Sequence, residues 1–596
     1  MKMTFRKLDG GIKVCLYLVV GTAVLYLFLL SIFGTTSVGP ADLTAGTGSG
    51  GEKAYFLKDV WPVRLLILAA VFCLIWLLRR YFLPAVRIRR HWISAGLCAL
   101  FILTGTVLIL STQMHPISDS SKILRIAEGM AEGSYEEFRR NEGYLWRYPD
   151  QLGIILLYYI VTLLAGEKNY IVLQFINLFA AAAAGLAAGK VAEMIGGYQG
   201  SWTGIGTELL YYIFAPFLLF TMYIYGTILG FAFSLFAFYM ELLLLKRRKW
   251  RYVCGAAVCM GVAVVFKTNS MVMMVAMLLF LVYDGIMEKK KRYALAGIAA
   301  ILLVQVLFTQ GIHGFMSMKS GCEISKGMPK LAWVAMAMGN GGPAPGTWNG
   351  RSVSMFEEAG YDYDETNRLA MESIRHSLED FMDDRSEALL WLGKKMAFQW
   401  NNPAFGAAQV LRNRPGAFPM PEPAESLIYG KAYYRMAEAM NVLQTVILAG
   451  CMCFFVLENK KKPREILLPA VAFLGGFLFH MAWEAKSEYV FPYFLMLFPY
   501  SVRGTGLLLD KVSSIFQRRR IPFGRSVIVP ACLLTGGILL LAVLYPTRLI
   551  QYTVALHDEP ELCILYKETI REQVQAVEMQ KQERNIEWEE EPYMEQ

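Results

Sequence analysis

Charge is scarce in this 596-residue chain: only 18% of its residues are Asp, Glu, Lys or Arg, against about a quarter in soluble globular proteins. That shortage excludes an ordinary water-soluble enzyme. Cysteine pairs with metal-type CxxC spacing are absent, which removes zinc-ribbon chemistry. The ten cysteines lie mostly in apolar runs, where a thiol behaves as a small hydrophobe. Only Cys322 and Cys563 fall outside such runs, and whether they pair stays open. Not one Asn-x-Ser/Thr sequon occurs, which favours a bacterial plasma membrane over a secretory-pathway membrane. No repeat of 20–50 residues is visible, so solenoids are excluded, and there are no paired halves of the kind many transporters show. What the chain has instead is hydrophobicity, 55% of residues, with 13% aromatics that rule out disorder. It reads as an all-α polytopic membrane protein.

The formal net charge of +9 matters less than its placement. Short basic clusters abut apolar runs: Arg79, Arg80, Arg87, Arg89 and Arg90, then Lys246–Arg251, Lys289–Arg292, Lys460–Arg464 and Arg518–Arg520. They read as cytoplasmic loops under the positive-inside bias and not as nucleic-acid contacts. Runs able to span the bilayer lie near 14–33, 62–80, 92–112, 169–190, 203–221, 224–245, 252–266, 270–285, 293–311, 440–457, 465–482, 490–508 and 526–546. Parity against the basic cluster at 246–251 makes the apolar stretch 151–165 a surface helix. The expectation is therefore about 13 transmembrane helices, N-terminus cytoplasmic and C-terminus outside. The first run, with about twenty residues, is too long for a signal-peptide core and reads as a signal anchor.

The expected organisation is a two-span extension (1–90), a transmembrane core (91–311) with a first outer loop (113–150), an outer loop domain (312–436), C-terminal spans (437–546) and an acidic outer tail (547–596). Within the core, 252–266 and 270–285 are short, about 22 Å each, and are joined by Lys267-Thr268-Asn269-Ser270. Basic clusters at both far ends put this hinge at or below the outer surface with a lysine at its tip. A single long helix with a snorkelling lysine is the bland alternative, but an ionisable residue at that depth is a functional candidate.

Asp119 follows the third run by seven residues, so it sits at the membrane surface. Ser118 or Asp119 can cap a helix whose apolar face is Ile123, Leu124, Ala127 and Met130. Besides that capping role, Asp119 is a carboxylate placed where a lipid head group and a soluble acceptor meet. Asp362-Tyr-Asp364 imitates a metal-binding DxD but reads as a solvated turn. His115, four residues before Asp119, gives a weak possibility of a divalent-cation pair with it. His480 reads as a packed histidine, and the Gly-rich stretch at 45–53 as a surface loop lacking the strand–helix setting of a phosphate loop.

Four stretches taken in order carry a resemblance: Asp119 and the closing YLWRYP (144–149), FAPFLLFTMYIYGTILGFAF (214–233), GMPKLAWVAMAMGNGGPAPGTWNG (327–350) and FHMAWEAKSEYVFPYF (479–494). The set resembles the C-type membrane glycosyltransferases (the GT-C fold), in particular Gram-positive bacterial relatives of protein O-mannosyltransferases and lipid A aminoarabinose transferases, over about residues 90–510. The resemblance implies a GT-C transmembrane core with surface helices in the first outer loop and a mixed outer loop domain. It implies inverting transfer of a sugar from a polyprenyl-phosphate carrier to an acceptor hydroxyl on a cell-envelope glycan, lipid or protein, with membrane lipids as surroundings and no nucleic acid. Asp119 matches the family's first-loop Asp, the general base. Arg147, Lys267 and Lys486 are the candidates for the donor phosphate, because charge builds on the leaving oxygen. Tyr148, Glu484, Trp483 and Trp333 are candidates for sugar or acceptor binding. No cofactor is obligatory, and a divalent cation stays open. Where the family often has Arg before the Tyr, this chain has Glu488, so no phosphate role carries to that position. The alternative from another class is a transporter or flippase of a lipid-linked glycan, with Lys267, Glu484 and Lys486 lining its path; clustering of the charges at one surface favours chemistry.

Overall fold

The structure, a computed structural model, describes residues 2–40, 52–82, 89–116, 118–139, 143–166, 169–196, 202–287, 291–407, 409–412, 420–428, 431–459, 463–518 and 535–538. It is an all-α polytopic membrane protein. Among the described residues nine helices are long and apolar enough to cross a bilayer: Lys7–Phe33, Trp61–Arg80, Arg90–Thr112, Asn169–Ile195, Thr227–Arg247, Ser270–Met287, Arg292–Ser320, Arg435–Leu457 and Arg464–Ala482. They are helices because a hydrocarbon core leaves backbone N–H and C=O groups no other partners. A tenth crossing results if Trp202–Ile213 and Ala215–Met222 count together; they bend by 63°, with Pro216 in the first turn after the break.

Of the remaining expected runs, 252–266 forms the 17-residue helix Trp250–Phe266. The run 490–508 is divided between Ser487–Leu495 and Phe498–Arg518. The last run, 526–546, the acidic tail and Cys563 lie outside the described residues, 535–538 excepted. The stretch 151–165 is the helix Leu152–Ala165, which packs on Ser118–Ala131.

Helix crossings are tight where residues are small. A methyl group on Gly504 would meet the Gly450 carbonyl oxygen at 1.9 Å, so the Lys431–Leu457 and Phe498–Arg518 helices touch backbone to backbone there. Aromatic rings fill the centre, with Phe214 against Phe491, Phe494 and Phe498. The rim is apolar and exposed, as at Leu100, Leu103, Val107, Leu303 and Val306, the surface expected to face lipid tails.

The segment expected to form the outer loop domain, called the outer domain below, is helical, built from Lys330–Ala337, Arg351–Glu358, Tyr363–Asp383 and Arg385–Trp400. Asp384 breaks the last two apart by accepting hydrogen bonds from the Ser386 and Glu387 N–H groups. The described strands come from elsewhere: β1 (Gly34–Pro40) and β2 (Glu52–Lys58) pair antiparallel between the first two spans. This ribbon is stitched to the outer domain, Thr36 N–H donating to Asn401 O and Ala54 N–H to Pro343 O, both at 3.0 Å.

Candidate active site

Four segments converge at one end of the helix bundle. The Tyr223–Gly226 tip precedes the Thr227–Arg247 helix. The Lys267–Asn269 hinge interrupts Trp250–Phe266 and Ser270–Met287, so the chain does not run on as one helix. The start of Ser118–Ala131 contributes Asp119, and the segment after Leu468–Ala482 contributes Glu484 to Tyr489. Tip and hinge meet at Gly226, whose φ of +78° and lack of side chain are both needed: a Cβ would lie 2.2 Å from the Phe266 carbonyl oxygen.

Asp119 is exposed in the first turn of its helix. The Tyr225 hydroxyl donates to its Oδ2 at 3.3 Å, and Gln151 Nε2 donates to the same hydroxyl at 3.4 Å. On the face of the Tyr225 ring stands Lys267, its Nζ 3.8 Å from the ring centroid, in a cation–π contact. Lys267 also donates to the Tyr225 carbonyl oxygen at 3.4 Å and lies 3.6 Å from Glu488 Oε1. Glu488 is buried, and it accepts from the Thr227 hydroxyl at 2.8 Å while its other oxygen is 3.1 Å from Lys486 Nζ. Glu488 is thus a carboxylate that answers two lysines.

Two lysines and two glutamates gathered beside Asp119 shift one another. Burial lowers the Lys267 pKa to about 8, against the pull of Glu488 and Asp119. Burial raises the Glu484 carboxyl to about 7, with Lys486 opposing and Glu488 and Asp119 reinforcing. For Glu488 burial works upward, yet Lys486, Lys267 and the Thr227 hydroxyl hold it below the usual carboxylate value.

Above this polar centre stands an aromatic wall. Trp333 and Trp483 stack with centroids 6.2 Å apart and planes 8° apart, and Tyr148 meets Trp333 edge-on at 5.8 Å. The loop bearing Trp483 and Glu484 is held from the outer domain: Ala485 N–H donates to Gly346 O at 2.8 Å and the Ser487 hydroxyl to Phe398 O at 2.8 Å. Gly346, at φ +72°, leaves room for the fully buried Lys395, whose Nζ donates to Ala337 O at 2.7 Å. Burial lowers the Lys395 pKa to about 7, with Glu484 working against the shift.

Asp119, Lys267, Glu484 and Lys486 therefore share one electrostatic cluster beneath a wall of Tyr148, Trp333 and Trp483. Arg147 stands at its edge, its Nη2 donating to Glu357 of the outer domain at 2.9 Å. His115 packs against Tyr170 with the rings tilted by 35° and its Nε2 3.1 Å from the hydroxyl. Among the described residues no three His, Cys, Asp or Glu gather as a metal site. Asp362 caps the Tyr363–Asp383 helix by accepting from Glu365 N–H at 2.7 Å, and His480 is fully buried. Sequence reasoning missed Tyr225, Thr227 and Lys395. The tip sequence TMYIYG signals Tyr225 through its polar aromatics beside a glycine, whereas nothing local marks Lys395.

The fold and site define a polytopic membrane protein with a charged, aromatic-walled centre at one end of its helices. No family profile matches the chain, and no curated protein sequence matches it. Among solved structures it is similar to the archaeal oligosaccharyltransferase AglB from Archaeoglobus fulgidus in complex with an inhibitory peptide and a dolichol-phosphate, at 14% identity and TM-score 0.38 over 78% of this chain and 56% of that one. The apo form of the Archaeoglobus fulgidus oligosaccharyltransferase gives 14% and 0.38 over 77% and 55%. The form tethered to an acceptor peptide containing the NVT sequon gives 13% and 0.37 over 81% and 59%. The chain spans less than two thirds of the length of these structures.

Proposed function

We propose that the protein is an integral-membrane glycosyltransferase that moves a sugar from a polyprenyl-phosphate carrier to an acceptor hydroxyl on the outer face of a bacterial plasma membrane. The observation that supports this most is the disposition of charge about Tyr225, with a carboxylate at its hydroxyl and an ammonium on its ring face. Inverting transfer needs a base on the attacking hydroxyl and cations on the departing phosphate, on opposite sides of the anomeric carbon. Asp119 takes the acceptor proton as the acceptor oxygen bonds to that carbon. The carbon–oxygen bond to the phosphate breaks, and the electron pair leaves with the polyprenyl phosphate, which Lys267 and Lys486 receive, with Arg147 at the edge of the site. Tyr148, Trp333 and Trp483 supply apolar faces for a sugar ring, and Glu484 bonds its hydroxyls. The lipid tail lies along the apolar helices.

The test is Asp119→Asn at matched expression, with envelope glycans measured by mass spectrometry. Transfer should fall by about 10² or more. Undiminished transfer removes the base, and lipid-linked intermediates accumulating on the inner leaflet of a deletion strain point to a flippase instead.

A further inference from the structure

Against the Lys330–Ala337 helix, the outer domain holds a cavity of about 360 Å³ that no step above uses. That volume lies in the range of ligand sites, about 300–1,000 Å³. Its polar lining is Asn340, Asn349, Arg351, Ser354, Ser373 and Ser377, over a floor containing Ala335 and the buried Met336. Among the described residues no carboxylate lines it. We infer that this groove binds a neutral, hydroxyl-rich glycan, the acceptor chain beyond the hydroxyl that receives the sugar.

The chemistry of the lining selects that class. A polyol presents a donor and acceptors at every carbon, and amides and hydroxyls answer both. Here the two roles are already divided. The Trp391 indole N–H donates to Asn340 Oδ1 at 2.9 Å, which leaves the Asn340 NH₂ as donors to the groove. The Ser377 hydroxyl donates to Ser373 O at 3.1 Å and the Ser354 hydroxyl to Gly350 O at 3.4 Å, which leaves their oxygens as acceptors. The rim is pre-set as well. Asn349 Nδ2 donates to Asn340 O and Asn349 Oδ1 accepts from Arg351 N–H, both at 3.1 Å, so little ordering remains to be done on binding. A polyanion would find a single guanidinium, itself 4.0 Å from Glu358. An apolar peptide would leave this fixed polar set without partners.

Position ties the groove to the site. The Lys330–Ala337 helix turns Trp333 to the Trp483 stack and Ala335 and Met336 to the groove floor. Wall and groove thus share one eight-residue helix as their common boundary. Naming the bound chain an acceptor rests on the proposed transfer; the binding itself does not.

The experiment uses the purified full-length protein on a printed array of neutral oligosaccharides of three or more sugars, their phosphorylated and carboxylated counterparts, and peptides of matched length. Neutral oligosaccharides should bind, with signal cut about tenfold or more by Asn340→Ala and by Ser373→Trp, and retained in Asp119→Asn. No binding to the neutral set, binding confined to anionic glycans or peptides, or wild-type binding by both groove variants overturns the proposal. Asn340 is exposed, so its variant carries the test if Ser373→Trp does not fold. If Asp119→Asn keeps full transfer while the array result stands, the transfer reading fails and the groove does not.

Discussion

Lys267 shows most directly how position becomes chemistry in this protein. Its ammonium is mostly withdrawn from water, yet it has a ring face, a carbonyl oxygen and Glu488 around it. Burial brings its pKa down to about 8. A lysine with a lowered pKa is charged below that value and neutral above it, so a step that needs the cation is lost as pH rises through about 8. The expected outcome is a transfer rate with an alkaline limb near pH 8. Lys267→Arg carries a charge that persists past pH 12, so it should erase that limb even if the rate at neutral pH falls, whereas Lys267→Met should lower transfer by about 10² below about pH 8, with the deficit against wild type shrinking above it. Profiles of kcat against pH for the three proteins decide it; an alkaline limb that survives in Lys267→Arg assigns the titration elsewhere. The sequence alone made Lys267 a candidate because a polar hinge interrupting two apolar runs is a local signal. Its bond to Glu488 was not legible, since residues more than two hundred positions apart are joined only by the fold.

At the scale of elements, the apolar helices were readable because each carries its own length and hydrophobicity. The hairpin of β1 and β2 was not. GTTSVGP has no clean alternation of polar and apolar residues, and the ribbon is held by the outer domain through Asn401 and Pro343. The helix break at Asp384 was equally hidden within a stretch that is charged throughout. The junction of tip and hinge gives a sharper test of how elements set the site. Gly226→Ala needs a left-handed backbone with a side chain and also drives a methyl into the Phe266 carbonyl. The strained φ alone costs more than about 1 kcal/mol, and the clash adds to it. The variant should therefore melt several degrees lower than wild type in a thermal scan and lose transfer, because Tyr225 and Lys267 separate. Gly314, where a methyl meets nothing within 4 Å, is the control: Gly314→Ala should leave both readings near wild type.

For the whole molecule, the Trp250–Phe266 and Ser270–Met287 pair fixes a direction. The hinge and the charged cluster about Tyr225 lie at one end. At the other, buried Asp284 accepts from Arg248 at 2.7 Å and from Arg464 at 3.0 Å, and Arg464 reaches Asp9 at 3.5 Å, so four chain segments are tied beside the basic clusters. Buried charge networks of this kind lose stability when one partner is removed. Under the positive-inside bias the basic loops are expected inside, and the proposed orientation then has the aromatic wall, the outer domain and Asp119 outside together. Cysteine placed at Glu379 or Arg375 on the exposed outer-domain helix, in a background without other cysteines, should react with a membrane-impermeant maleimide in intact cells. Cysteine at Lys249 should react only after the membrane is opened, with a labelling ratio that differs by about tenfold or more between the two sites, because the basic loop lies behind the bilayer. Labelling at Lys249 in intact cells, with none at 375 or 379, would turn the molecule over and place Asp119 on the wrong side of the membrane for an outer-leaflet donor.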